Sequence, residues 1–363
     1  MLYQSVRLII GFFLKMYFRR IKFSGMELID ETKPTLLCGN HTNAFLEGIL
    51  IATQYPNNKL YFLARADVFN HPLAAKILDK LHIIPIYRIR DGYNALDRNK
   101  DTFNKVTQLL KEGKHVIIFS EGDCVAEKRL RSLKKGSARL AFQAVEEGVE
   151  DLQILPVGIN YSDFGKEGED ALIQFSEPFN AKELYPQSES EKALSLNRFN
   201  EKLVEGLKKV VIDYPIQDYH KINQYTQQKR IAAILEHRNN NGKDPGIAEE
   251  RQWVSDYHEG LPLAPLKKQG FFERLKIFES NLLTPLFFIP HFLSHRLTKK
   301  VVKSLDFFQS MEVAFRMVMV ILWSLIFTTL LTILVGGKLG VWIVVLIFYF
   351  LLYRFHCNNR PIQ

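Results

Sequence analysis

Between residues 34 and 179 the chain repeats one alternation: a short run of β-branched and aromatic residues, then a longer stretch with apolar positions at helical spacing. The short runs predict strands over 35–39, 60–63, 83–87, 115–119, 152–157 and 172–175, and the longer stretches predict helices over 103–112 and 137–147. Strands alternating with helices predict an α/β domain, a layered and mainly parallel sheet with flanking helices, over 25–185.

The pattern changes on either side. Residues 1–24 are apolar but carry Arg7, Lys15, Arg19, Arg20 and Lys22, and the unbroken apolar core from Leu8 to Leu14 is too short to span a bilayer. An amphipathic, membrane-associated helix with snorkelling basic side chains is expected there. No small-residue cleavage site follows, so a removable signal peptide is not expected. Residues 186–265 are polar, with a helix predicted over 191–211 and a loop by composition over 239–246; this region reads as a helical appendage without chemistry of its own.

Residues 266–316 read as a basic, membrane-proximal helical region, and a hairpin is expected over 317–355. Its first arm, 317–335, is charge-free and long enough for the roughly 30 Å hydrocarbon layer. Residues 336–340 form a turn, and 341–353 is a second, shorter charge-free run. Basic residues gather before the first arm and after the second (Arg354, Arg360), with Lys338 at the tip, which puts both ends on the cytoplasmic side. The alternative is one span followed by an interfacial helix.

The formal net charge of +9 asks for an acidic partner. Arg19, Arg20 and Lys22, then Lys267, Lys268, Arg296, Lys299, Lys300 and Lys303, flank the apolar ends, and no base-stacking or groove-reading module accompanies them. This placement favours membrane lipids over nucleic acid, at about 1 kcal/mol per basic residue near an anionic surface. Cys38, Cys124 and Cys357 are scattered without CxxC or zinc spacing, which suggests a reducing compartment, with Cys38 a buried strand residue.

Four segments carry candidate chemistry. The first is Asn40-His41-Thr42-Asn43-Ala44-Phe45-Leu46-Glu47, directly after a predicted strand. A carboxylate can hold one imidazole nitrogen protonated and leave the other as general base. Six positions exceed a helical turn, so the two side chains meet only if the chain turns before a helix starting at Asn43 and Ala44. The plainer reading is a capping Thr42 or Asn43 beside an incidental histidine.

In the second segment a strand ends in Arg88 and Arg90, guanidinium groups able to clamp a phosphate, or an Arg90–Asp91 surface contact. The third runs a strand into Ser120-Glu121-Gly122, then a basic loop with Arg131, Lys134 and Lys135 that leads to a helix N-terminus at Ser137, a place that favours an anion. The fourth, 154–161, is an apolar strand whose Pro156 points to an edge or a bulge.

In this order the four blocks resemble the phospholipid/glycerol acyltransferase family, which includes glycerol-3-phosphate and 1-acylglycerol-3-phosphate acyltransferases. The family pattern is a His and, four or five residues on, an Asp; an Arg-bearing strand; Phe-Pro-Glu-Gly; and a Pro-containing strand. The resemblance covers about 23–179, and 304–314 looks like a tail found in some bacterial members. Glu47 stands where the family has Asp, and Ser120 where it has Pro, a change expected to loosen the turn.

The resemblance implies a membrane-bound O-acyltransferase of phospholipid biosynthesis. The acyl donor would be acyl-CoA or acyl carrier protein, and the acceptor glycerol 3-phosphate or its monoacyl derivative. It implies His41 as general base and Glu47 as its orienting carboxylate. Arg88, then Arg90, with Arg131, Lys134 and Lys135 in support, would hold the acceptor phosphate; Glu121 and Gly122 would shape the polyol site. The basic loop could serve membrane attachment instead.

No metal or other cofactor is implied, and His71, His82 and His115 look incidental. The expected location is an inner or cytoplasmic membrane, with the catalytic domain facing the cytoplasm. Two other readings stand beside this one: acylation of a non-phosphate acceptor such as an aminolipid, and a catalytically silent membrane scaffold.

Overall fold

The computed structural model describes residues 2–56, 59–87, 95–164, 168–240, 248–257, 271–302, 305–334, 336–337 and 339–358. The elements run α1 (Leu2–Tyr17), β1 (Arg20–Ser24), β2 (Thr35–Gly39), α2 (Ala44–Gln54), β3 (Leu60–Arg65), α3 (Pro72–Lys80), β4 (Ile83–Ile86), α4 (Ala95–Lys111), β5 (His115–Phe119) and α5 (Gly136–Glu146). They continue with β6 (Gln153–Tyr161), β7 (Asp170–Phe175), β8 (Phe179–Asn180), α6 (Lys192–Val210), α7 (Tyr219–Asn240), α8 (Ala248–Asp256), α9 (Phe271–Val301), α10 (Leu305–Leu334) and α11 (Leu339–Asn358).

The strands form one 8-stranded sheet in the order β1-β7-β6-β2-β5-β3-β4, with β8 paired to β6. From β6 to β4 every pair is parallel, so the mainly parallel α/β sheet expected from the sequence is the fold. β2 is central: Thr35–Gly39 pairs with His115–Phe119 on one side and Gln153–Val157 on the other. Every residue of β2 is buried, which is why it reads as a near-continuous apolar run instead of an alternation. Because Gly39 is level with Phe119, the segments after β2 and β5 leave the sheet at the same carboxyl edge, where ligands of open α/β sheets bind.

Two expectations need revision. Pro156 is not on an edge strand: it lies in β6, between β2 and β7, and stands opposite Cys38 in a β2–β6 register without a bulge. A proline removes one ladder N–H. Its carbonyl still accepts the Ser176 N–H at 3.0 Å, and its ring packs on Gly206 of α6. The packing is close enough that a Cβ on Gly206 would stand 2.5 Å from the Pro156 Cγ.

The polar stretch after residue 186 is also more than an appendage at its start. Phe199, Leu203, Leu207 and Val210 of α6 fall on one helical face and are buried in the same core as Leu36 and Val116.

The chain divides into two compact units, Met1–Gly11, Phe23–Asn160 and Leu172–Asp213 forming the first, and Phe12–Lys22, Tyr161–Ala171 and Tyr214–Gln363 the second. In the second, Asp170 receives Arg19 through two hydrogen bonds of 2.9 and 2.6 Å and Arg20 at 2.8 Å, while Arg230 bonds Glu169 at 2.7 Å. Phe287 of α9 packs its ring on Tyr349 and Tyr353 of α11. Phe307–Leu334 and Gly340–Cys357 are helices long and apolar enough, by length and composition, to cross a membrane. They extend beyond the expected arms at 317–335 and 341–353. Lys267, Lys268, Lys303, Lys338, Arg360 and most of the loop at 239–246 lie outside the described residues.

Candidate active site

β2 ends at Gly39, and α2 begins at Ala44 with Asn43 as its cap residue. Ala44 takes a φ of 43°, a left-handed conformation that a side chain disfavours by about 1–2 kcal/mol, so the turn is tight and strained. That turn brings Glu47 back over the strand end. Glu47 Oε2 lies 2.6 Å from His41 Nδ1. Its other oxygen accepts the Thr42 N–H at 2.6 Å, the Thr42 hydroxyl at 2.8 Å and the Asn43 N–H at 2.9 Å. Glu47 is 0% exposed and the His41 side chain 18%. The carboxylate is therefore fixed inside the protein while the imidazole keeps an accessible edge.

The other face of the imidazole lies flat on Phe119, with ring centroids 4.5 Å apart and planes 8° from parallel. Asn40 anchors the preceding residue to β6: its amide donates to the Ile159 carbonyl at 3.0 Å and its oxygen accepts the Ile159 N–H at 2.8 Å. Ala44 N–H donates to Cys124 Sγ at 2.9 Å. These partners of the His41 turn are missed by sequence reasoning. Phe119 and Asn40 sit inside the quoted motif blocks, so a signal was present, whereas Cys124 has none.

From β5 the chain turns at Gly122, whose φ of 76° suits glycine. Glu121, fully buried, accepts the His41 N–H at 3.0 Å and the Arg131 N–H at 2.9 Å, and takes the Arg131 guanidinium at 2.7 Å. Burial pushes the Glu121 carboxyl above its usual range, against the opposing pull of Arg131 and the His41 N–H. Ser120 does not loosen this turn. Its N–H donates to the Gly39 carbonyl at 2.9 Å, a bond the family's proline cannot make, its carbonyl accepts the Lys134 N–H at 2.8 Å, and its hydroxyl pairs with Ser137 at 2.8 Å.

Of the predicted site residues, His41, Glu47, Glu121, Gly122 and Arg131 come together at the carboxyl edge of β2 and β5. Lys134 joins them at the rim, its Cγ only 2.9 Å from where a Gly122 Cβ would sit, and Lys135 is the cap residue of α5. Both lysines are exposed. Arg88 and Arg90 lie outside the described residues.

The remaining histidines of this unit have structural surroundings. His71 Nδ1 caps α3 by accepting the Leu73 N–H at 3.3 Å, His82 is stacked between Tyr3 and Tyr61, and His115 Nδ1 lies 2.5 Å from the Tyr55 hydroxyl. Among the described residues no group of three or more His, Cys, Asp or Glu is set to hold a metal ion. Burial raises the Cys38 thiol to about 12, which leaves it un-ionised and unsuited to nucleophilic attack.

Residues 20–160 match the family model described as Acyltransferase, a span that contains all four motif blocks up to Asn160. No curated protein matches. Among solved structures the chain is similar to the crystal structure of the 1-acyl-sn-glycerophosphate (LPA) acyltransferase, PlsC, from Thermotoga maritima, with 19% identity, a TM-score of 0.40, and coverage of 57% of this chain and 79% of that one. Over residues 20–160 the chain therefore matches the Acyltransferase family model, in the same stretch whose motif blocks resemble the phospholipid and glycerol acyltransferases.

Proposed function

We propose that this protein moves a fatty acyl group from a thioester, acyl-CoA or acyl carrier protein, to a hydroxyl of glycerol 3-phosphate or 1-acylglycerol 3-phosphate at a membrane. The observation that carries the reading is the 2.6 Å contact between His41 Nδ1 and a Glu47 carboxylate whose other oxygen is held by three donors. A carboxylate fixed in this way keeps the proton on Nδ1 and leaves Nε2 as the base.

In the proposed reaction Nε2 takes the proton of the acceptor hydroxyl as its oxygen attacks the thioester carbonyl. A C–O bond forms, the C–S bond breaks, and the departing thiolate takes up the proton from the imidazolium, which restores the neutral base. The buried Glu47 charge stabilises the imidazolium more strongly than it would in water. The acceptor alcohol is itself the nucleophile, so none is needed from the protein.

Arg88 and Arg90, with the exposed Lys134 and Lys135 at the rim, are the proposed phosphate contacts. The two long apolar helices support attachment to a bilayer, with the catalytic unit on the cytoplasmic side of an inner or cytoplasmic membrane. A product that exposes each acyl CH₂ to water at about 0.8 kcal/mol gains from being made against lipid.

The test is direct. Purified protein is given labelled palmitoyl-CoA or palmitoyl carrier protein with glycerol 3-phosphate, its 1-acyl derivative or an aminolipid, and the product is identified by mass spectrometry. Acylation of either phosphate acceptor, abolished in His41→Ala, is expected. Acylation of the aminolipid alone would replace the proposed acceptor, and no transfer at all would leave the silent scaffold.

A further inference from the structure

We infer that Glu121 and Arg131 are positioning residues that clamp the main chain of His41, and that neither is a contact to the acceptor. This rests on the reading of His41 as general base given above. The N–H of residue 41 donates to Glu121 Oε2 at 3.0 Å, and the carbonyl of residue 41 accepts from Arg131 Nη2 and from the Val125 N–H, each at 3.2 Å. The same Arg131 Nη2 also reaches Glu121 Oε2 at 2.7 Å and the Asp123 carbonyl. Both polar groups of His41's own backbone are thus held by one ion pair and its loop. Glu47 sets the tautomer of the ring, Phe119 its plane, and the Glu121–Arg131 pair the backbone from which it projects.

The geometry leaves Glu121 little capacity for substrate and ties Arg131 to the protein through its terminal Nη2. A carboxylate offers about four lone-pair sites. Glu121 is 0% exposed and three of its sites are filled, two by Arg131 and one by His41. Arg131 is 16% exposed, and its charge is neutralised by a buried carboxylate. An acceptor phosphate that drew the guanidinium away from Glu121 would break a buried pair, a costly exchange. The left-handed turn at Gly122 lets the loop double back so that Arg131 arrives beside a glutamate ten positions earlier.

The clamp predicts a particular kinetic signature. Arg131→Gln and Glu121→Gln should lower kcat by roughly 10²-fold, the scale of an ångström of misplacement. The acceptor KM should change by less than about 3-fold, because no ground-state contact is lost. In Arg131→Gly, added guanidine should restore kcat and leave KM alone, a rescue that a merely structural defect would not give. A rise in acceptor KM with kcat unchanged would overturn the inference, since that is the behaviour of a phosphate contact.

A second measurement does not depend on turnover. Hydrogen exchange of the His41 amide, followed by mass spectrometry at residue level, should accelerate at least about 10-fold in Glu121→Gln. The Leu37 amide of β2 should be unaffected. Equal His41 protection in both proteins would also overturn the clamp. If the wild-type protein transfers no acyl group, the functional reading fails by itself, and the exchange result still decides whether the pair holds residue 41.

Discussion

His41 Nδ1 stands 2.6 Å from Glu47 Oε2 across six positions of sequence, a contact made possible by the left-handed turn at Ala44. The carboxylate is one methylene longer than the family's aspartate, and the cradle is built for that length: one oxygen reaches the imidazole while the other takes Thr42 and Asn43. Glu47→Asp withdraws the carboxylate by about 1.5 Å, one C–C bond. It must then give up either the histidine or the cradle. We expect kcat to fall roughly 10- to 100-fold in Glu47→Asp. In Glu47→Gln, which removes the charge and permits the wrong tautomer, the loss should be on the order of 10⁴-fold. Steady-state kinetics with a fixed thioester donor measures both. An aspartate variant as fast as the wild type would mean that the carboxylate does not orient the ring.

Asp170 sets an acid limit on the second unit. Its burial alone would raise the carboxyl, but the bond from Arg19 and the charges of Arg19, Arg230 and Arg20 outweigh that and hold it below the ordinary range. The native state therefore binds the proton less readily than the unfolded chain. The stabilisation is fully present above the unfolded value of about 3.9 and is lost as pH falls through the lower native value. Asp170→Asn should remove this acid-limb slope and cost about 3 kcal/mol at neutral pH, because buried guanidinium groups lose their counter-ion. Urea unfolding followed between pH 2.5 and 7 reads both effects.

His115 acts in a different window. At the start of β5 its imidazole is buried against the Tyr55 hydroxyl, and burial lowers it to about 4. The folded protein keeps this ring neutral where the unfolded chain, with a value of about 6.5, already binds a proton. Stability from this group is complete above about pH 6.5 and declines as pH drops toward 4. In His115→Gln the unfolding free energy should lose its slope across that interval, with the Asp170 limb below it intact. A slope unchanged in His115→Gln would assign the titration to another group.

The sheet is legible in the sequence because central parallel strands are buried on both faces, so 35–39, 115–119 and 152–157 appear as near-continuous apolar runs. Strand order is not: no residue type announces that β2 lies between β5 and β6. The His41–Glu47 contact is legible because both partners are side chains with characteristic chemistry. The attachment of Glu121 to His41 is hidden, since it joins positions 80 apart through a backbone N–H that almost every residue carries. In α6 the buried stripe of Phe199, Leu203, Leu207 and Val210 is diluted by the charged residues between them, and composition alone assigns the segment to solvent.

That stripe rests on a contact which can be tested by itself. A Cβ on Gly206 would come within 2.5 Å of the Pro156 Cγ, and one on Gly158 within 2.3 Å of the Val210 carbonyl oxygen, so α6 lies closer to β6 than side chains at those positions would permit. The Pro156 ring is part of the main chain of an interior strand and cannot swing aside. In Gly206→Ala the helix itself must retreat, loosening Leu203 and Leu207 in the core. Overpacking of this kind costs about 1–3 kcal/mol, and the variant should unfold at correspondingly lower urea. Pro156→Ala by itself leaves a gap under the helix and should also destabilise. If the two residues meet as described, the methyl added at 206 fills the space vacated at 156, and the double variant should be more stable than the sum of the single changes by about 1 kcal/mol or more. Strict additivity would mean that the helix does not rest on the proline.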